Sequence, residues 1–174
     1  MVAPVKPLGK AALSRPLTGA DRLTEAIELL FFAYRDFISD PDEILAQYDF
    51  GRAHHRVVHF VGRNPGITVA ELLNILRITK QSLARVLKQL IERGFVEQET
   101  GKQDRRQRLL YLTASGRELE ERLAAPQRDR VAAALAKAGP GAEDVWRTIM
   151  LQLVNDEDRA EVEHRIARAA AGQR

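Results

Sequence analysis

The chain contains no cysteine. Disulfide bonds, cysteine-ligated zinc or iron–sulfur centres and thiol-based redox switches are therefore excluded. No apolar run approaches the roughly 20 residues that a membrane-spanning helix requires. Residues 1–20 also lack the continuous apolar segment of a secretory signal. We therefore expect a cytoplasmic protein with no membrane partner.

Sequence motifs of the common enzyme classes are missing as well. The chain has no GxSxG nucleophile elbow, no phosphate-binding P-loop, no GxGxxG dinucleotide motif and no HExxH zinc motif. Acidic runs at 40–43 and 156–158 are typical of solvated helix starts rather than of catalytic carboxylate pairs. We expect no enzymatic activity.

Positive charge is concentrated in one part of the chain. Residues 76–110 hold nine basic and four acidic side chains, a net charge of +5. The preceding residues, 21–75, have a net charge of −4, so the net charge of +3 for the whole chain hides this contrast. A basic block between acidic segments is typical of a local polyanion footprint.

The spacing of apolar residues predicts a mainly helical chain. Helical periodicity covers residues 21–38, and the polar run 39–42 predicts a helix stop followed by a separate short helix at 41–47. Further helices are predicted at 51–62, 68–76 and 79–93, the second of them opened by a capping box of Thr68 and Glu71. Helical pattern resumes at Ala114 and is broken at 139–141.

Between these helices the periodicity changes to that of strands. Residues 95–99 and 108–113 predict a β-hairpin whose polar tip is 100–107. Three short helices followed by a two-stranded ribbon form the pattern of a winged helix-turn-helix. The expected fold class is therefore mainly α with a small β-hairpin wing.

The 79–93 helix is a candidate DNA-recognition helix. With its apolar stripe turned inward, it presents Lys80, Gln81, Ser82, Arg85, Lys88 and Gln89. Gln81, Ser82 and Arg85 lie in the first two turns, where such helices meet base edges, whereas Lys80 and Lys88 suit phosphate. The alternative is the solvated face of an ordinary amphipathic helix.

The hairpin tip adds a second candidate DNA contact, formed by Lys102, Asp104, Arg105 and Arg106. An arginine at the end of a hairpin can reach a narrow minor groove, where the negative potential is strongest. We expect Asp104 to hold Arg106 extended through a charge-assisted hydrogen bond, with Arg105 as an alternative inserted arginine. A loop that merely keeps the protein soluble is the other interpretation.

Residues 68–113, with the helix end LIERGFV at 90–96, the wing DRR at 104–106 and the LTxxG pattern ending at Gly116, resemble the MarR family of winged-helix regulators. The string GRAHHRVVHFVGRNPG at 51–66 is similar to a PetP-like subgroup. The resemblance implies a homodimer that binds a pseudo-palindromic operator in double-stranded DNA. It assigns DNA contacts to Gln81, Ser82, Arg85, Asp104 and Arg106.

The resemblance also implies interlocked N-terminal and C-terminal helices. Bulky apolar residues in 21–38 and 142–154 agree with such an interface, although a larger monomeric core would also bury them. We therefore expect a flexible arm at 1–20, an N-terminal dimerisation helix with its connection at 21–50, a DNA-binding lobe at 51–113, and C-terminal dimerisation helices with a tail at 114–174.

Three histidines, His54, His55 and His59, form a second candidate site. His55 and His59 share a helix face and could jointly bind a metal ion or heme. The resemblance implies a small anionic effector near this region, but the histidines could equally contact DNA phosphate or the partner subunit, or fill the lobe junction. The leading hypothesis is a dimeric DNA-binding regulator; the alternatives are a heme- or metal-responsive sensor and a winged-helix module that binds protein.

Overall fold

The computed structural model describes residues 19–101 and 104–171; Lys102 and most of the predicted N-terminal arm lie outside them. The helices are α1 (Ala20–Ala46), α2 (Arg52–Arg63), α3 (Val69–Leu76), α4 (Lys80–Glu92), α5 (Ala114–Ala138), α6 (Ala142–Gln152) and α7 (Asp156–Ala171). The strands are β1 (Ile67–Thr68), β2 (Val96–Thr100) and β3 (Arg108–Leu112). The chain divides into two compact units, residues 1–37 and 38–174.

The first unit, where it is described, consists of the first part of α1. The large apolar side chains of this segment are exposed: Leu23, Ile27, Leu29, Leu30, Phe31, Phe32 and Tyr34. Phe31 is 70% exposed, which is far more than a core position would be. Within the residues that the structure describes, the segment thus carries an exposed apolar surface.

The predicted helix stop at 39–42 is wrong, because α1 continues to Ala46 with Pro41 inside it. A proline in a helix interior removes one backbone hydrogen bond and crowds the preceding turn. Here Ile38, Pro41 and Leu45 are all buried on one face of the helix. Burial of this face stabilises the helix, so that it continues past Pro41 although proline is disfavoured inside a helix.

The sheet has three strands rather than the predicted two. All pairs are antiparallel in the order β1-β3-β2. In the hairpin Val96 pairs with Leu112, and on the other edge of β3 Ile67 pairs with Leu110. Strand β1 has only two residues, which is too short to leave a period-2 pattern in the sequence.

The hydrophobic core of the second unit lies between α2, α3, α4, the sheet and the start of α5. Its fully buried members include Leu45, Val57, Val58, Val61, Leu72, Leu83, Leu90, Leu110, Leu119 and Leu123. The inward stripe of α4 belongs to this core, as the apolar spacing predicts. Packing of that stripe fixes which face of α4 is presented outward.

The C-terminal helices have little buried surface of their own. Helix α5 runs through Pro126 without a break and ends at Gly139, where the predicted interruption at 139–141 is found. No residue of α6 is buried, and Val145, Trp146, Ile149 and Leu153 are exposed. Among the helices that the structure describes, none is long and apolar enough to cross a membrane.

Candidate nucleic-acid interface

Helix α3 and the turn after it position the candidate recognition helix. The predicted capping box is present: the Glu71 N–H donates to Thr68 Oγ1 over 3.2 Å, while the Thr68 N–H and hydroxyl each donate to Glu71 Oε2 over 2.8 Å. These hydrogen bonds lower the pKa of the Glu71 carboxyl. Helix α3 ends at Arg77, which is in the left-handed region at φ 49°, and α4 begins after the N-cap Thr79.

Helix α4 divides cleanly into a buried and an exposed face. Leu83, Val86 and Leu90 are buried. The predicted contact residues Lys80, Gln81, Arg85 and Lys88 are exposed, whereas Ser82 is half-buried. The Ser82 hydroxyl accepts a hydrogen bond from the Thr79 hydroxyl over 2.9 Å. The polar face is therefore accessible in the chain, and the first turn that carries it is fixed by its cap.

His54 connects α2 to α4. Its Nδ1 accepts the Gly51 N–H over 3.1 Å, and its Nε2 lies 2.8 Å from Gln89 Oε1. The ring also stacks on Phe50, with the two centroids 4.4 Å apart. His54 is buried, and both ring nitrogens already have protein partners. This placement gives His54 a structural part in the lobe rather than an open position for a ligand.

The wing ends in a tight turn that presents two arginines. The Gln107 N–H donates to the Asp104 carbonyl over 3.0 Å, so Arg105 and Arg106 are its central residues, and both are exposed. Asp104 Oδ1 accepts the backbone N–H of Arg106 over 2.9 Å. The bond expected from Asp104 to the Arg106 side chain is thus made to the main chain instead. Asp104 shapes the turn and does not pull the guanidinium towards itself.

Helix α4 and the wing form the two sides of one groove. The groove has a volume of about 730 Å³, with an apolar floor that includes Leu73 and Leu87. Its margin carries four cations, Lys80 and Lys88 from α4 and Arg106 and Arg108 from the wing. The fold therefore brings together the two predicted DNA-facing elements, whose sequences are separated by the first strand of the hairpin.

The base of the wing is fixed against α5 by a close backbone approach at Gly116. The Thr113 hydroxyl donates to the Gly94 carbonyl over 2.6 Å, and the Thr113 N–H donates to the Phe95 carbonyl over 3.1 Å. A Cβ atom placed on Gly116 would lie 1.9 Å from that Phe95 oxygen. Only glycine fits at this point, which accounts for the LTxxG pattern in physical terms.

His55 and His59 lie on α2 and are both half-buried. Burial, followed by the neighbouring His59, lowers the pKa of His55. His59 Nδ1 is 3.5 Å from Glu120 Oε1 on α5, and this interaction lowers the pKa of the Glu120 carboxyl. Within residues 19–101 and 104–171 there is no cluster of three or more His, Cys, Asp or Glu side chains that could hold a metal ion.

A second cavity, of about 700 Å³, lies next to His59. Helices α2, α3, α5 and α7 line it. Its lining combines apolar side chains such as Phe60, Ile75 and Val162 with the ion pair of Arg77 and Asp158 and the ion pair of Arg165 and Glu161 within α7. The volume is within the range of small-molecule sites.

Two contacts of the lobe were not foreseen from the sequence. Gln89 was grouped with the outward polar residues of α4, yet it bonds to His54, 35 positions away. Arg77 follows α3 and pairs with Asp158 of α7. Neither pairing leaves a local signal, because each joins residues that only the tertiary fold brings together.

Comparison with known proteins connects this architecture to a family of regulators. A sequence profile of the MarR family matches residues 48–107. The HTH-type transcriptional regulator PetP of Rhodobacter capsulatus is 50% identical over 130 residues, which cover 75% of this chain and 78% of that protein. The predicted resemblance to the PetP-like subgroup is confirmed by this identity.

Solved structures share the fold. A mutant of MarR from E. coli, complexed with operator DNA, has a TM-score of 0.59 at 19% identity and covers 78% of this chain and 97% of its own. NadR in complex with 4-hydroxyphenylacetate has a TM-score of 0.62 at 21% identity, with coverages of 80% and 96%. At these identities the likeness establishes the arrangement of helices and wing.

Proposed function

Since the chain belongs to the MarR family of transcriptional regulators, we propose that it acts as a homodimer that reads a pseudo-palindromic operator in double-stranded DNA. In each subunit α4 enters the major groove and the wing tip contacts the adjacent minor groove. The family and its relatives are regulators of transcription rather than enzymes.

The groove shared by α4 and the wing is the observation that carries this proposal. Gln81 and Arg85 are exposed in the first two turns of α4, where side chains of a recognition helix reach base edges. Lys80 and Lys88 stand beside them, and Arg105 and Arg106 project from the wing. Cations on both sides of a polar helix face suit phosphates that flank a groove. A module that binds protein has no need of two arginines at the wing tip.

The dimer is supported by two apolar surfaces. Residues 23–34 of α1 expose seven large apolar side chains, and α6 with its C-cap Leu153 exposes Val145, Trp146, Ile149 and Leu153. Exposed apolar area of this extent is typical of a protein–protein interface. In the dimer, two α4 helices about 34 Å apart would match successive major grooves on one side of the duplex.

The dimer is tested by Phe31→Glu, which places a charge in the centre of the α1 surface. We expect sedimentation to report a dimer for the unchanged chain and a monomer for the variant. Glu25→Gln, a neutral change on the same helix, is the control and leaves the dimer intact. A wild-type monomer at micromolar concentration would contradict the proposal.

Operator binding is tested by selecting bound fragments from sheared genomic DNA with the pure protein. The affinity for a selected duplex should fall steeply with salt, because several phosphate contacts release counterions. Arg85→Ala should weaken binding and relax sequence preference, whereas Lys88→Ala should weaken binding to all duplexes alike. Equal enrichment of all fragments by the wild-type protein would contradict sequence-specific recognition.

The cavity beside His59 favours a second element of the function, a small-molecule effector. Its volume, apolar walls and arginines suit a small aromatic or aliphatic carboxylate. Calorimetric titration with 4-hydroxyphenylacetate, the ligand bound by NadR, tests this class, and His59→Ala should weaken any binding seen. A heme or metal sensor using His55 and His59 would instead produce an absorbance band or bound metal in the purified protein.

A further inference from the structure

Helix α7 lies along α3 and pairs with it through a ladder of polar contacts. Asp158 forms an ion pair with Arg77, and Glu161 Oε1 accepts from Asn74 Nδ2 over 3.1 Å. Further along α7, Arg165 is close enough to help lower the pKa of Glu71. Residue numbers increase along α7 as the numbers of their partners decrease along α3, so the two helices are antiparallel. We call the Arg77–Asp158 and Asn74–Glu161 contacts the α3–α7 ladder; Arg165 itself forms an ion pair with Glu161 of α7.

The ladder attaches α7 to α3, whereas Arg159 attaches the start of α7 to the end of α6 by donating to the Leu151 and Val154 carbonyls over 3.0 and 3.1 Å. Within residues 156–169 no side chain is buried. Its apolar residues Val162 and Ile166 border the 700 Å³ cavity instead of filling it. Ion pairs that water reaches contribute little to stability and weaken with salt. Helix α7 is therefore held by contacts that can be released at low cost.

The first contact of the ladder involves the turn of the helix-turn-helix itself. Arg77 is the left-handed residue that ends α3, two positions before the cap of α4. In this motif the helix before the recognition helix crosses the DNA backbone, so a cation at its end is suited to phosphate. Pairing with Asp158 neutralises that cation. The first turn of α7 contains the carboxylates of Asp156, Glu157 and Asp158. The ion pair therefore also holds this acidic turn next to Arg77.

We propose that α7 is an autoinhibitory latch, in which Asp158 withholds Arg77 from the DNA backbone until α7 moves away. The proposal rests on the DNA binding proposed above. Release exposes one more phosphate-binding cation and removes nearby negative charge. Both effects strengthen DNA binding. The Arg77–Asp158 contact therefore controls the affinity for DNA, although α7 is far from α4 in the sequence.

The test compares Asp158→Asn with Asp156→Asn in the full-length chain. Both variants remove one carboxylate from the same helical turn, but Asp156 is 89% exposed and bonds only to Arg159 of its own helix in the described structure. We expect Asp158→Asn to bind a duplex selected by the wild-type protein about 3- to 10-fold more tightly at low salt. Because two added phosphate contacts, one from each subunit of the proposed dimer, steepen the salt dependence, this advantage should shrink about 10-fold between about 50 and about 200 mM salt and so be lost.

A double variant separates the latch from a general charge effect. In an Arg77→Gln background, Asp158→Asn should tighten binding no more than Asp156→Asn does, because there is no cation to release and only the loss of one negative charge remains. Hydrogen exchange of residues 156–162 should be faster in Asp158→Asn than in Asp156→Asn. Equal tightening by both single variants, an excess of Asp158→Asn over Asp156→Asn that persists without Arg77, or weaker binding by Asp158→Asn would each overturn the latch. Failure of the wild-type protein to bind DNA would instead refute the proposed function.

Discussion

His54 Nε2 lies 2.8 Å from Gln89 Oε1, and this contact joins α2 to α4, the proposed recognition helix. The Gly51 N–H donates to the other ring nitrogen, Nδ1, which must therefore be the unprotonated one. The proton of the neutral ring is then on Nε2 and is donated to the Gln89 oxygen. One histidine thus caps the start of α2 and fixes the second half of α4.

Replacement of His54 by phenylalanine should destabilise the lobe. The substitution His54→Phe retains stacking on Phe50 but removes both hydrogen bonds of the ring, so we expect a loss of about 1–3 kcal/mol in the free energy of unfolding. Urea denaturation measures this loss. His164→Phe, at an exposed position of α7, is the matched control and should change stability little.

A double-mutant cycle shows whether the loss comes from the contact with α4. If it does, Gln89→Ala should be much less costly in the His54→Phe background than in the wild-type chain. Additive effects of the two substitutions would mean that His54 acts only through Gly51 and Phe50.

Local sequence patterns were sufficient to predict helices α2, α3 and α4 and the hairpin of β2 and β3. The apolar stripe of Leu83, Val86 and Leu90 and the cap at Thr68 each depend on residues within one or two helical turns. Pro41 misled the prediction because its local cost is offset by burial in the folded chain, which the local pattern does not show. The His54–Gln89 and Arg77–Asp158 pairs were inaccessible for the same reason, since spacing within one helix carries no information about its tertiary partner.

Gly116 provides a test of backbone packing at the base of the wing. Any Cβ there would overlap the Phe95 carbonyl, so Gly116→Ala must displace either β2 or the first turn of α5. We expect a loss of at least about 1–3 kcal/mol in the free energy of unfolding, comparable with overpacking of a core. The neighbouring exposed Ser115 supplies the control, and Ser115→Ala should be tolerated. If the two variants unfold at the same urea concentration, the close approach is absent in solution.

Acidification should destabilise the protein through His55. Its pKa is lowered in the folded state, chiefly by burial. As the pH falls below about 6.5, the unfolded chain therefore takes up the proton first, and the free energy of unfolding decreases. We expect His55→Gln to lose less stability than the wild-type chain between about pH 7.5 and about pH 5.5. Parallel pH profiles would contradict a buried neutral imidazole.

Glu120 extends the same trend to lower pH. The bond with His59 lowers the pKa of its carboxyl, so this group stabilises the fold above about pH 4.5 and ceases to do so as it becomes protonated in the folded state. In Glu120→Gln the free energy of unfolding should therefore decrease less steeply as the pH falls below about 4.5. This decrease would remain unchanged if the His59–Glu120 contact did not form.

Substitutions at the wing tip test whether Arg105 and Arg106 contact DNA and whether Asp104 acts through the turn or through its charge. Arg106→Ala should weaken binding to a selected duplex by about 1–3 kcal/mol, and Arg105→Ala shows whether its neighbour shares the contact.

Asp104 Oδ1 accepts the Arg106 N–H, and an asparagine side-chain oxygen can do the same. Asp104→Asn should therefore keep the turn and, by removing a negative charge near phosphate, bind DNA at least as tightly as the wild-type chain. Asp104→Ala should lose the turn and weaken binding. Equal weakening by both Asp104 variants would show that the carboxylate charge, and not the turn, positions Arg106.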